Sequence, residues 1–140
     1  MNFKATKKYK QTGTTFFEEG DNLRQVTKSI PDLPGVYLFH EVEGKYTRLK
    51  YIGSAGTIKQ DGKFKGQMLR GRINNKMNSQ QTRSQFFKEH LKNTNCDLIR
   101  IDWYVTYDED FLDLPKYVEA LMVQEFYGWF GSLPDWNKEF

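Results

Sequence analysis

The chain has 140 residues, enough for one compact domain and too few for two of ordinary size. A single cysteine, Cys96, excludes an intramolecular disulfide and a zinc site built from cysteines. No apolar run approaches the ~20 residues of a membrane span, and the net charge of +3 is modest.

The charge is segregated along the chain. Lys4, Lys7, Lys8 and Lys10 form a basic arm; Lys59, Lys63, Lys65, Arg70, Arg72 and Lys76 form a second basic cluster diluted only by Asp61. Acidic residues gather instead at Asp108, Glu109, Asp110 and Asp113. Separated basic surface on a small protein points to a polyanion partner, although a basic run is more often just a solvated face. The opening MNFKATKKYK has no apolar stretch behind it and does not read as a secretory signal, so a cytoplasmic setting is the default expectation.

Residues 1–32 are polar and punctuated by Gly and Thr, with a short helix expected around Leu23 and Val26; they read as a basic arm and lead-in to a domain at 33–140. Pro31 and Pro34 mark a sharp bend before GVYLFHEV (35–42), a β-branched and aromatic strand. Glu43, Gly44 and Lys45 turn the chain, and LKYIG (49–53) reads as the antiparallel partner. A Lys/Gly-rich loop spans 57–66. Leu69, Ile73 and Met77 then recur every four residues and predict a helix over 68–77, with Arg72 and Lys76 on a neighbouring face. Ser84 is a candidate cap for a second helix carrying Phe86, Phe87 and Leu91. Over 98–107, Ile99, Ile101, Trp103 and Val105 alternate with Arg100, Asp102 and Tyr104, the pattern of a half-buried strand.

The last element is the most apolar. Val118, Leu121, Met122, Phe126, Trp129 and Phe130 follow helical spacing and predict a buried helix ended by Gly131, with Glu125 beside the stripe. A carboxylate there is either a surface Glu at the helix edge or a metal ligand, since burying it bare costs several kcal/mol. The order strand, strand, helix, helix, strand, helix predicts an α+β fold, an α/β sandwich with a small three-stranded, largely antiparallel sheet flanked by helices. His40 and His90 match no metal or triad spacing, His90 beside Phe86 and Phe87 reads as structural, and Cys96 reads as a buried or edge residue.

Two tripeptides on the paired strands, Gly35-Val36-Tyr37 and Tyr51-Ile52-Gly53, resemble the signature of the GIY-YIG nucleases. Leu69-Arg70-Gly71-Arg72-Ile73 is similar to the run that opens that family's first helix, and the resemblance implies that Arg72 is catalytic. Glu125 is followed nine residues later by Pro134, eleven later by Trp136 and twelve later by Asn137, which resembles the family's ending and implies that Glu125 is the metal ligand. Glu119 is the rival carboxylate, six residues further from that ending. Val36 stands where the family name has Ile, the stretch between Tyr51 and Arg72 is long, and Lys76 stands where many members carry His or Tyr. The resemblance covers roughly 33–137 and is nearest to the small standalone phage and restriction-type members.

What it implies is a DNA endonuclease using Mg²⁺, with Mn²⁺ as a substitute, in bacterial or phage-infected cytoplasm. Its expected catalytic set is Tyr37, Tyr51, Arg72, Lys76, Glu125 and Asn137. Glu125 would hold one metal ion, Arg72 would present a permanent fork of charge to the phosphate, and one tyrosine would activate water, with Tyr51 favoured and Tyr37 positioning. Asn137 would bond near the phosphate or pin the tail. Lys59, Lys63, Lys65 and Arg70 would grip the backbone of double-stranded DNA. Cutting both strands implies sequential nicking or a homo-oligomer, a dimer or tetramer, with Phe16 and Phe17 serving either an interface or the core. The competing expectation is a non-catalytic nucleic-acid-binding module on the same fold.

Overall fold

A computed structural model describes residues 2–140. Its centre is the hairpin of β2 (Gly35–Glu43) and β3 (Tyr46–Ala55), joined by a turn at Gly44 and Lys45. β6 (Leu98–Val105) pairs antiparallel with the other side of β2. The sheet has four strands, not the expected three, because β1 (Thr12–Glu18) pairs antiparallel with β6 and gives the order β1-β6-β2-β3. Only Phe17 of β1 is fully buried, so the strand carries almost no apolar alternation; its threonines, β-branched and suited to a half-exposed strand, are the signal that was present. Phe17 belongs to the core, whereas Phe16 is exposed.

The alternation of β2 sends its side chains to two cores. Tyr37 and Phe39 join Phe17, Ile99, Ile101 and Val105 on the face covered by α2 (Leu69–Ile73) and α3 (Arg83–Asn93). Val36 and Leu38 join Leu49 and Ile52 on the face covered by α4 (Pro115–Phe130) and by Phe3 and Tyr9 of the N-terminal segment. Helix α1 (Leu23–Val26) forms where expected, capped by the Asn22 side chain. The helix expected at 68–77 is only one turn long as α2. Helix α3 starts earlier than Ser84 suggested, because Thr82 and Gln85 form a reciprocal capping box.

Helix α4 buries Val118, Met122, Val123 and Phe126, and ends where Gly131 adopts a left-handed φ of 69°. Leu121, Trp129 and Phe130, expected inside, are 38%, 47% and 56% exposed. Beyond α4 the chain turns back along the free edge of β3, where the Trp136 amide donates to the Lys50 carbonyl at 2.9 Å. That edge is covered at residues 50–52 and open beyond them. A second, two-stranded hairpin of β4 (Thr57–Ile58) and β5 (Phe64–Lys65) projects just past its open end. Among the described residues no helix is long and apolar enough to cross a membrane.

Candidate active site at the open edge of the sheet

Where β3 loses its edge partner, a cavity of about 220 Å³ is lined by Tyr37, Tyr51, Ser54, Gly56, Thr57, Arg72, Lys116 and Glu119. An edge strand can draw residues from both faces of a sheet, and this one does. Tyr37 and Tyr51 project on the α2/α3 side, Arg72 comes from α2, and Lys116 and Glu119 come from the first turns of α4 on the opposite side.

The two tyrosines are set by packing. Their rings lie 6.1 Å apart and are stacked, and Phe39 stacks on Tyr51 at 5.4 Å and lies tilted against Tyr37 at 5.3 Å. Tyr37 is 1% exposed and lies across Gly53 of the neighbouring strand. A Cβ at position 53 would sit 2.5 Å from Tyr37 Cζ and 2.6 Å from its hydroxyl, so the glycine is there for close approach and not for turn geometry. Burial pushes the Tyr37 phenol well above its ordinary range, against an opposing pull from the Arg83 guanidinium.

Glu119 is the carboxylate of this cavity. Its Oε1 accepts from Ser54 Oγ at 2.9 Å, and burial raises its pKa despite that hydrogen bond and the nearby Lys116 and Arg72. Glu125, expected to hold the metal, is elsewhere: its carboxylate accepts from the backbone N–H groups of Lys4 at 2.9 Å and Ala5 at 3.2 Å, capping the 3-10 turn Lys4–Thr6. The physical reason is rotational. Six residues advance an α-helix by about 600°, which leaves the two glutamates about 120° apart around the axis. Only Glu119 shares a face with buried Pro115 and Val123; Glu125 shares its face with exposed Leu121 and Trp129. Helix α4 continues to Phe130 before the tail turns back.

Two other expected catalytic residues lie outside the cavity lining. Asn137 clasps β3: its Nδ2 donates to the Ile52 carbonyl and its Oδ1 accepts from the Ile52 amide, both at 2.9 Å. It pins the tail, the second of the two roles anticipated for it. Lys76 is exposed in an isolated bridge with Thr82, because α2 ends at Ile73 and the helical spacing from Arg72 is lost. Lys59, Lys63 and Lys65 are exposed on the β4–β5 hairpin. Arg70 is exposed on a separate depression of about 380 Å³ that also bears Arg24 and Lys28.

Neither Lys116 nor a buried arginine behind the tyrosines was anticipated. Arg83 opens α3, is 3% exposed, and places its guanidinium carbon 5.1 to 5.3 Å from the rings of Tyr37, Phe39 and Tyr51. It donates through Nη1 to the Arg72 carbonyl and through Nη2 to the Tyr51 hydroxyl at 3.3 Å. Two signals for it were in the sequence. Arg83, Phe87 and Leu91 recur every four residues, and a cation in a helix's first turn opposes the macrodipole, so it needs another reason to be there.

No protein-family model, curated protein or solved structure matches this chain.

A second polar cluster lies on the α3 side of β2. His90 Nε2 is 2.9 Å from Glu41 Oε2, and these two donors and Cys96 Sγ all lie within 4.8 Å of one another. Glu41 also takes Lys50 Nζ at 3.4 Å and Arg48 at 3.6 Å, and the Cys96 thiol donates to the Leu98 carbonyl at 3.2 Å. Burial raises the Cys96 thiol's pKa. The carboxylate already has cationic partners and the thiol keeps its proton, so the cluster reads as a structural ion-pair network.

Proposed function

We propose that this chain is a metal-dependent DNA endonuclease of the GIY-YIG type, hydrolysing phosphodiester bonds with an activated water. The observation that carries the reading is the convergence of Tyr37, Tyr51, Arg72 and Glu119 from four elements on one small polar cavity. Three of those four are the residues that the two tripeptides and the arginine run single out in the sequence. The four-stranded antiparallel sheet with helices on both faces suits such a fold, with β1 and the β4–β5 hairpin as additions.

The donor set fits a single hard cation. One carboxylate lines the cavity, and room remains for water and phosphate oxygens, the way Mg²⁺ is commonly held; Mn²⁺ would substitute. Arg72 Nε is buried without a hydrogen-bond partner, so the guanidinium keeps donor capacity for an anion. Glu119 would hold the metal, which supplies charge neutralisation for the phosphate and the leaving oxygen when bound. Arg72 and Lys116 add fixed positive charge around a phosphate, and a tyrosine takes the proton of the attacking water. The lysines of the β4–β5 hairpin and Arg70 flank the cavity's strand and helix, and suit the backbone of a DNA duplex. One such site cuts one strand, so duplex cleavage calls for sequential nicking or a homo-oligomer. Cytoplasmic DNA, in a bacterium or a phage-infected host, is the proposed substrate pool.

Digestion of supercoiled plasmid with Mg²⁺ tests this. Wild type should nick the plasmid, EDTA should stop it, and Glu119→Ala should lower the rate by about 100-fold or more, the scale of losing a transition-state charge partner. Glu125→Ala should still cut. It should instead lose two hydrogen bonds to exposed or half-buried backbone amides, about 1 to 2 kcal/mol together, and melt several degrees lower. Abolished cleavage in Glu125→Ala with an unchanged melting temperature would return the metal site to Glu125. Salt-dependent DNA binding without cutting across Mg²⁺, Mn²⁺ and Co²⁺ would leave the binding-module reading instead.

A further inference from the structure

Arg83 poses a problem of charge. A guanidinium stays protonated at any ordinary pH, and an unpaired buried charge is expensive. Yet among the described residues Arg83 enters no ion pair with a carboxylate. Its Nε has no hydrogen-bond partner, and its two bonds go to a neutral carbonyl and a phenol. Ring faces beneath it contribute cation–π attraction, a weaker substitute for an anion. A fold that keeps such a charge beside a reactive oxygen has a use for the anion that charge would stabilise.

The two tyrosines are not equivalent towards it. Both border the cavity and both lie against Arg83, but Tyr51 is partly exposed and its hydroxyl accepts from Arg83 Nη2 at 3.3 Å, whereas Tyr37 is 1% exposed. Through its bond to the Arg72 carbonyl, Arg83 also ties the arginine that faces the phosphate to the same point.

We propose that Arg83 is a positioning residue that makes Tyr51, and not Tyr37, the tyrosine that takes the proton of the attacking water. This rests on the nuclease reading. In that step Tyr51 reacts as its phenolate: one water O–H bond breaks and the proton joins the Tyr51 oxygen. A new O–P bond forms from the water oxygen. The P–O bond to the leaving sugar oxygen breaks, and that oxygen departs with the electron pair and takes a proton from solvent. The guanidinium balances the Tyr51 oxygen's charge before the transfer and fixes its direction throughout.

The test is a mutant cycle in single-turnover plasmid nicking, with melting temperature and circular dichroism recorded for every variant. Arg83→Met and Tyr51→Phe should each slow nicking by about 100-fold or more, the range of a general base. If Arg83 acts through Tyr51, the double variant should be slower than Tyr51→Phe by less than about threefold, because the two losses are one loss. Arg83→Lys should recover at least about tenfold over Arg83→Met, since it restores the charge without the fork. Losses that multiply in the Tyr51 background, or that vanish only in a Tyr37→Phe background, overturn the proposal. Should Arg83→Met fail to fold, Arg83→Lys carries the cycle. A readout without cleavage is the ¹³Cζ resonance of ring-labelled Tyr51, assigned through Tyr51→Phe, at neutral pH. It should move in Arg83→Lys while that of Tyr37 moves less. An unmoved Tyr51 resonance overturns the coupling even if wild type cuts nothing, and a wild type that cuts nothing overturns the nuclease reading alone.

Discussion

Gly53→Ala adds one methyl group at the point where the Tyr37 ring crosses the neighbouring strand. The new carbon would meet Tyr37 Cζ, Oη and Cε2 at 2.5, 2.6 and 2.7 Å, more than 1 Å inside ordinary carbon contact. Relief must come from Tyr37 or from the backbone, since nothing flexible lies in between. Tyr37 is hemmed in by Phe39 at 5.3 Å, Tyr51 at 6.1 Å and the Arg83 guanidinium at 5.1 Å. The substitution is therefore overpacking in a filled core, at about 1 to 3 kcal/mol, partly offset by the ~0.5 to 1 kcal/mol that Ala gains over Gly within a strand. In a 140-residue chain a net loss of about 1 to 2 kcal/mol lowers the melting temperature by roughly 3 to 8 °C.

A double-mutant cycle isolates the contact. In a Tyr37→Leu background the ring is gone, and Gly53→Ala should cost nothing or stabilise slightly, giving a coupling energy of about 1 to 3 kcal/mol by urea unfolding. An equal cost of Gly53→Ala in both backgrounds would refute the claim that this glycine exists to admit the Tyr37 ring. The stability result does not depend on what the protein does.

Reversing charge on the β4–β5 hairpin, with Lys59, Lys63 and Lys65 all changed to Glu, should weaken DNA binding. If each lysine meets one phosphate, the slope of log affinity against log salt should also fall by about 2 to 3, and an unchanged slope would remove the hairpin from the interface. His40 gives a pH prediction. Burial holds its imidazole down to about 4, against Asp102 at 3.6 Å, with Arg100 adding to the depression. The folded state thus takes up its proton later than the unfolded chain does near 6.5. Stability from this residue is complete above about pH 6.5 and is lost as pH falls towards 4, by up to about 3 kcal/mol. Melting curves from pH 7 to 4 should fall more steeply for wild type than for His40→Gln; parallel curves would show that His40 is not the group responsible.

The parts of the fold that were legible are those whose local chemistry agrees with their long-range role. β2, the core of β3, and β6 alternate or run apolar, and each forms where its pattern says; α1 and α3 carry caps that local sequence can specify. β1 was illegible because pairing with β6, and not its own apolar content, makes it a strand. The inner stripe of α4 was read too broadly because burial depends on what lies opposite a helix. Trp129 and Phe130 follow the right period, but Trp129 rests against Phe3 of the N-terminal segment and Phe130 against Phe126 of its own helix, and both stay half exposed. Lys76 was assigned by extending a helix that stops after one turn.

The two glutamates show most sharply what linear spacing leaves out. Counting back from Asn137 treats the segment between carboxylate and tail as a fixed ruler, but here part of it is helix and part returning chain, and only the helical part sets direction. Direction decides which carboxylate can line the cavity. Glu119 follows Val118 and precedes Met122, and shares its face with Pro115 and Val123, all four buried, so it is carried against the sheet. It reaches Ser54 just where β3 runs free of the tail. Glu125, on a different face, is turned towards the N-terminal segment, where it accepts from the Lys4 and Ala5 amides. The tail also shapes the cavity: by clasping Ile52 on both its amide and carbonyl, Asn137 closes the sheet edge up to Ile52 and leaves the opening at Ser54 to Thr57, within reach of Tyr51, Arg72 and Glu119.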